Sequence, residues 1–81
     1  MSERSAVIVD WIRKRCLKND PDRVVTTDLD LLESGILDSV RIAQMTDFLE
    51  SQFDMEIDLD ELFPENFSSI DRILAMLDRS A

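Results

Sequence analysis

Ser39 directly follows Asp38 where Ser34-Gly35-Ile36-Leu37-Asp38-Ser39-Val40 gives way to a strongly helical pattern, and Gly35 is the chain's one glycine. A serine hydroxyl in such a place can attack a substrate, cap a helix, or be modified by another enzyme. Attack needs a base. The chain has no histidine, which removes every Ser-His or Cys-His arrangement along with the commonest metal ligand. Capping needs a side-chain oxygen that accepts from the unpaired N–H groups of a helix start, and aspartate and serine both supply one. With Asp38 as the cap, the Ser39 hydroxyl lies in the first helical turn and points outward. A phosphodiester there would sit near helix N–H groups and the positive end of the helix dipole. The pattern reads as a modified anchor rather than an activated nucleophile.

Other chemistries fit less well. A single glycine leaves no glycine-rich phosphate loop. A calcium loop starting at Asp28 would place Glu33 where glycine is needed and Ser39 where glutamate is needed. One starting at Asp54 closes on Glu65, but Leu59 stands in the glycine position and Pro64 intrudes. Cys16 is the sole cysteine, so no internal disulfide or cysteine metal cluster forms, and its apolar helical neighbours predict a buried structural thiol. Paired carboxylates need a pocket that shifts their pKa, and a domain this small has little room for one beside its core. No enzyme activity is expected.

At 81 residues, 44% hydrophobic and 33% charged, the chain is one small folded domain near the lower size limit for a single core. Its net charge of −9 disfavours nucleic acid and anionic membranes. That charge is uneven: residues 1–23 carry +2 and residues 24–81 carry −11. Ser39 lies in the acidic part, which calls for basic partner surfaces. No apolar run at the N-terminus resembles a signal peptide and none is long enough to span a bilayer, so a cytoplasmic monomer without membrane insertion is expected.

Three helices must position Ser39. The first is predicted from Ala6 to about Lys18, with Ile8, Trp11, Ile12 and Cys16 on one side and Arg13, Lys14, Arg15 and Lys18 matching the dipole at its end. The basic cluster reads as a solvated helix end. Asn19-Asp20-Pro21-Asp22 stops the helix. From Arg23 to Leu37 no period persists, although Val24-Val25-Thr26-Thr27 has strand-like composition. Leu29, Leu31, Leu32, Ile36 and Leu37 are expected to plug gaps between helices and pin this long loop. The second helix starts at Asp38 or Ser39 and runs to about Phe53, burying Ile42, Met45, Leu49 and Phe53, with Thr46 among them and Phe48 beside them. Ser39, Val40, Ala43, Asp47, Glu50 and Asp54 fall on another face, which looks like a docking surface.

After that, Met55, Ile57 and Leu59 are expected to alternate inward. Asp60-Glu61-Leu62-Phe63 predicts one short turn ended by Pro64. Ser68 or Ser69 caps a last helix, and Ser68 with Asp71 has capping-box spacing. Ile70, Ile73, Leu74 and Leu77 form its apolar stripe, and Asp78 to Ala81 are expected to fray. The expected fold is all-α, a small three- to four-helix bundle with a long first loop and a short third helix. It forms one domain over 1–81, ordered over about residues 4–78.

Taken together, these residues resemble a family. Gly35-Ile36-Leu37-Asp38-Ser39-Val40 resembles the phosphopantetheine attachment motif of acyl and peptidyl carrier proteins, Gly-x-x-Asp-Ser followed by an aliphatic residue. Phe48-Leu49-Glu50-Ser51-Gln52-Phe53-Asp54-Met55-Glu56-Ile57 is similar to the family's second-helix ending, and Pro64-Glu65-Asn66-Phe67-Ser68-Ser69-Ile70 to its approach to the last helix. The likeness covers nearly the whole chain.

The resemblance implies that Ser39 takes a 4′-phosphopantetheine arm from coenzyme A, joined by a magnesium-dependent phosphopantetheinyl transferase. The arm's thiol then carries cargo as a thioester. It also implies that Asp38 matters to the transferase and that Val40, Arg41, Ala43, Asp47 and Glu50 meet partners. Those partners are an acyl- or aminoacyl-loading ligase or transferase and downstream synthase or condensing enzymes. Arg41 stands where many fatty-acid carriers have an acid, Gln44 replaces another acid, and Asp47 an apolar residue. These departures speak against a housekeeping fatty-acid carrier, and Pro64-Glu65-Asn66-Phe67-Ser68-Ser69-Ile70 is more like discrete carriers paired with adenylating ligases, polyketide or nonribosomal peptide enzymes, which favours a stand-alone carrier in polyketide, nonribosomal peptide or related specialised biosynthesis. The rival reading is an acidic helical adaptor without a prosthetic group.

Overall fold

A computed structural model describes residues 3–80. Helix α1 spans Glu3–Cys16 and buries Ile8, Trp11 and Ile12 along the expected stripe, with Cys16 half-buried at its end. It stops short of Lys18 because Leu17 turns into the core and its carbonyl accepts the N–H of Asp20 at 3.1 Å. Arg13 then donates to the carbonyls of Arg23, at 3.0 Å, and Pro21, at 3.4 Å. Part of the basic cluster therefore holds the returning chain and is not merely solvated.

Among the described residues the loop that follows contains no strand. Val25 is buried and Val24 exposed. The leucines do plug the core: Leu31, Ile36 and Leu37 are buried, and Leu29 and Leu32 pack against them. Hydrogen bonds fix what the packing begins. The N–H of Leu31 donates to Ser68 O at 2.7 Å, that of Leu37 to Leu31 O at 2.9 Å, and that of Asp71 to Thr27 O at 2.9 Å. The loop is thus fastened to the start of the last helix.

Helix α2 spans Ser39–Gln52 and buries Met45, Thr46 and Leu49, with Ile42, Phe48 and Phe53 half-buried. The Thr46 hydroxyl donates to Ile42 O at 2.9 Å, which satisfies it inside the core. Phe48 stacks on Trp11 with ring centroids 5.7 Å apart, a contact that adds about 0.5–1.5 kcal/mol beyond burial and joins α2 to α1.

The expected third helix is two 3-10 turns, Leu59–Glu61 and Pro64–Phe67. Pro64 opens the second turn instead of ending the first, because a proline at a helix start loses no needed N–H. Ile57 is buried, but Leu59 is 84% exposed and not inward as its alternation with Met55 and Ile57 predicts. The 3-10 turn begins at Leu59, so the period changes from two to three at that residue. Phe67 is fully buried, and the second turn packs on both α2 and the last helix.

Helix α3 spans Ile70–Ser80 and lies against α1. Ser69 caps it, its Oγ accepting from Arg72 N at 3.2 Å. Ser68 instead donates to Glu65 O at 2.8 Å, so the Ser68–Asp71 capping box does not form. The helix continues through Ser80, and Asp78 pairs with Arg4 at 2.6 Å. Ala81 lies outside the described residues. The architecture is the expected all-α bundle. Among the described residues no helix is long and apolar enough to cross a membrane.

One polar network braces the 3-10 turns to α3. Arg79 donates to both Glu61 carboxylate oxygens, at 3.2 and 2.8 Å, and Asn66 Nδ2 donates to Glu61 O at 2.6 Å and to Glu61 Oε2 at 3.1 Å. The Arg79 hydrogen bond, aided by its charge and by Asn66, holds the Glu61 carboxyl below its ordinary value of 4.5 against opposing desolvation. A depressed folded pKa gives stabilisation that is complete above the unfolded value and is lost as pH falls through the folded one. Thermal unfolding from pH 6 downward should therefore show a smaller acid-induced loss below 4.5 for Glu61→Gln than for the parent.

Candidate functional site

Asp38 adopts extended backbone, φ −136° and ψ −176°, just before α2. Its Oδ1 accepts the N–H of Arg41 at 2.8 Å and its carbonyl accepts that of Ile42, also at 2.8 Å. Capping thus falls to Asp38, and Ser39 is left as an exposed first residue of the helix. A helix start has four N–H groups without intrahelical acceptors, and the Asp38 carboxylate accounts for one of them, that of Arg41. Those of Ser39 and Val40 remain toward the open end.

The approach to this corner is equally determined. Gly35 has φ +79°, a left-handed conformation, and its N–H donates to Leu32 O at 3.1 Å. Asp30 Oδ1 accepts from Leu32 N at 3.0 Å and Glu33 N at 2.8 Å, which tightens the same turn. Arg41 closes it from the other side, donating from Nη1 to Ile36 O at 3.0 Å. Arg41 therefore binds Asp38 through its backbone and Ile36 through its guanidinium, and Ser39 lies inside the closed segment. Among the described residues no side chain hydrogen-bonds the Ser39 hydroxyl.

The other residues singled out by the sequence separate into two groups. Val40 is 66% exposed, and Ala43 and Asp47 are exposed beside Ser39. With Ile42, Thr46 and Leu62, three of these (Ser39, Ala43 and Asp47) line a shallow trough of about 330 Å³ between α2 and the first 3-10 turn. Arg41 and Glu50 are committed to the protein's own backbone. The Glu50 carboxylate accepts the N–H of Ile57 at 2.9 Å and so fastens the chain leaving α2.

Sequence reasoning missed Leu62, which faces Ser39 across the trough, and the outward positions of Leu59 and Phe63. A turn of changing period gives no stripe to read. Cys16 is half-buried, and burial pushes its thiol above the ordinary 9.0, with Asp38 adding and Arg41 opposing. It is a protonated packing residue, less buried than expected.

Residues 9–77 match the sequence model of a protein family described as "Phosphopantetheine attachment site". The chain belongs to that family. Its members attach 4′-phosphopantetheine covalently, so the protein is a phosphopantetheine carrier. None of the curated proteins compared with the carrier matches it. Carrier domains in general interact with phosphopantetheinyl transferases and synthase enzymes and are not themselves catalytic. The first turn of α2 fits the group: an exposed hydroxyl, two N–H groups without helical acceptors, and the positive end of the helix dipole all suit a phosphodiester.

The cap that frames this turn is testable. Removing it should cost about 1 kcal/mol, against about 4–12 kcal/mol for a whole domain of this size. Asp38→Ala should shift a urea midpoint accordingly, and Asp38→Asn, which keeps the accepting oxygen, should shift it by less than half as much.

Proposed function

We propose that Ser39 is the residue of this carrier that bears the arm, and that the protein shuttles cargo between partner enzymes. The observation that carries this reading is the Asp38 cap. It takes the capping role from Ser39 and leaves the hydroxyl exposed at the start of α2. In the loading step the Ser39 oxygen bonds to the β-phosphorus of coenzyme A. The bond from that phosphorus to the bridging oxygen breaks, adenosine 3′,5′-bisphosphate leaves, and the hydroxyl proton passes to a base on the transferase. The chain's own part is to hold the hydroxyl outward and to favour the phosphodiester through the helix start. Once attached, the arm supplies a thiol that holds an acyl or aminoacyl group as a thioester.

Asp38 contributes by fixing the turn that the transferase reads, and exposed Val40, Ala43 and Asp47 form the surface that transferase, loading enzyme and synthase meet in succession. Acidic and small apolar groups suit brief, electrostatically steered encounters. The pathway we favour is polyketide, nonribosomal peptide or related specialised biosynthesis, on the likeness of the segment from Pro64 to Ile70 to discrete carriers of those pathways, with the departures at Arg41, Gln44 and Asp47 speaking against a housekeeping fatty-acid role.

Intact-mass measurement after incubation with coenzyme A, magnesium and a broad-specificity transferase tests the assignment. The parent should gain one phosphopantetheine and Ser39→Ala none. A gain retained in Ser39→Ala would place the arm elsewhere, and no gain in the parent would return the chain to the adaptor reading.

A further inference from the structure

Arg41 is a cation turned away from the face that carries Ser39. The two lie two positions apart on α2, and residues so spaced on a helix do not face each other. Ser39 and Val40 are exposed, whereas Arg41 is half-buried and its Nη1 donates to Ile36 O at 3.0 Å. Among the described residues no other group donates to that carbonyl. Its loss would leave an acceptor unpaired beside a side chain that is itself in the core.

The clip spans two units that are each fixed separately. On the loop side, Ile36 and Leu37 are buried, the N–H of Leu37 donates to Leu31 O at 2.9 Å, and that of Gly35 to Leu32 O at 3.1 Å. On the helix side, Asp38 Oδ1 accepts the N–H of Arg41 at 2.8 Å. Asp38 sets where α2 begins, and the Arg41 guanidinium ties the loop to that beginning, with Ser39 between them. The end of α1 lies near this corner, since Arg41 and Asp38 both act on the Cys16 thiol through their charges. A cation near the C-terminal end of α1 is favoured by the helix dipole. Two contributions to loading are thereby separated. The face of Val40, Ala43 and Asp47 requires an intact α2, whereas the aim of the Ser39 hydroxyl requires loop and helix start to be held at one angle.

We propose that Arg41 is a positioning residue for phosphopantetheine transfer, its clip on Ile36 O holding the loop–helix corner so that the Ser39 oxygen reaches the β-phosphorus of coenzyme A. This rests on the assignment of Ser39. Arg41 acts through the corner, so its removal leaves the docking face in place and misplaces the hydroxyl inside the bound complex. A misplaced nucleophile lowers kcat and leaves KM nearly unaltered.

Steady-state loading by a broad-specificity transferase, with coenzyme A and magnesium and with the carrier as varied substrate, tests the clip on Arg41→Met, Arg41→Gln and Arg41→Lys. Methionine keeps a long stem and arginine's helix propensity but donates nothing. We expect kcat for Arg41→Met to fall about tenfold, with KM within about twofold of the parent. Arg41→Lys, which retains a donor on a long stem, should recover kcat to within about threefold of the parent. Amide hydrogen exchange of the unloaded carrier gives a reading independent of the transferase. Gly35 and Leu37 should exchange about tenfold faster in Arg41→Met, with Ile73 in α3 unchanged. A rise in KM at unchanged kcat would make Arg41 a contact for the transferase and overturn the proposal. Parent-like kinetics would overturn it too, as would a fall in kcat without faster exchange at Gly35 and Leu37. If Arg41→Met does not fold, Arg41→Gln, whose amide ends nearer the backbone, is compared with Arg41→Lys, and equal kcat in the two would overturn the proposal. Failure of the parent to gain mass would instead overturn the Ser39 assignment itself.

Discussion

The hydrogen bond from Leu31 N to Ser68 O, 2.7 Å long, joins two parts of the chain that helix packing alone would leave independent. A long connection without secondary structure must satisfy its backbone groups somewhere and offset the entropy of being ordered. This one does so at Leu31, whose side chain enters the core, whose N–H reaches the start of α3, and whose carbonyl accepts from Leu37. The companion bond from Asp71 N to Thr27 O repeats the attachment. The end of the loop is thereby placed relative to α3, and with it the corner where α2 begins. Ser39 is displayed by a helix start, but the helix start is located by the loop.

From that fixed corner the distribution of charge takes on meaning. The acidic side chains that make the chain's net charge −9 do not all act alike. Asp38 holds a helix cap, Glu50 holds the exit from α2, Asp30 tightens a turn and Glu61 braces the 3-10 segment. Asp47 and its exposed neighbours are left to act on the solvent side. Exposed carboxylates contribute little to stability, and their field acts mainly on the rate and selectivity of encounters. Structural acids and steering acids are interleaved along the same helix, one turn apart at Asp47 and Glu50.

Much of this was readable from residue order. The stripe of Met45 and Leu49 and the cap at Asp38 follow from helical period and from the short reach of an aspartate oxygen, and both are as expected. The loop leucines were legible because so many apolar residues could not remain in water together. What escaped was of a different kind. Arg41 to Ile36 O and Glu50 to Ile57 N are side-chain bonds to backbone around a corner, and no periodicity announces them. Leu59 was misplaced because alternation was extended past the residue where the turn changes it. The stop at Cys16 depended on Leu17 finding the core and Arg13 finding carbonyls of the next loop, both of them tertiary events.

A glycine can be required because a side chain has no room or because the backbone is left-handed, and Gly35 shows which applies. Its φ of +79° and the absence of any atom within 4 Å of an added Cβ separate two reasons for a glycine that are often confused. The requirement is one of handedness alone. Space is open, so the penalty on an L-residue comes from its own backbone and not from neighbours. A D-alanine at this position would have its methyl group on the permitted side. The motif's glycine is thus an achiral joint in a chiral chain, and its mirror-image tolerance is a property that the twenty encoded residues cannot exploit.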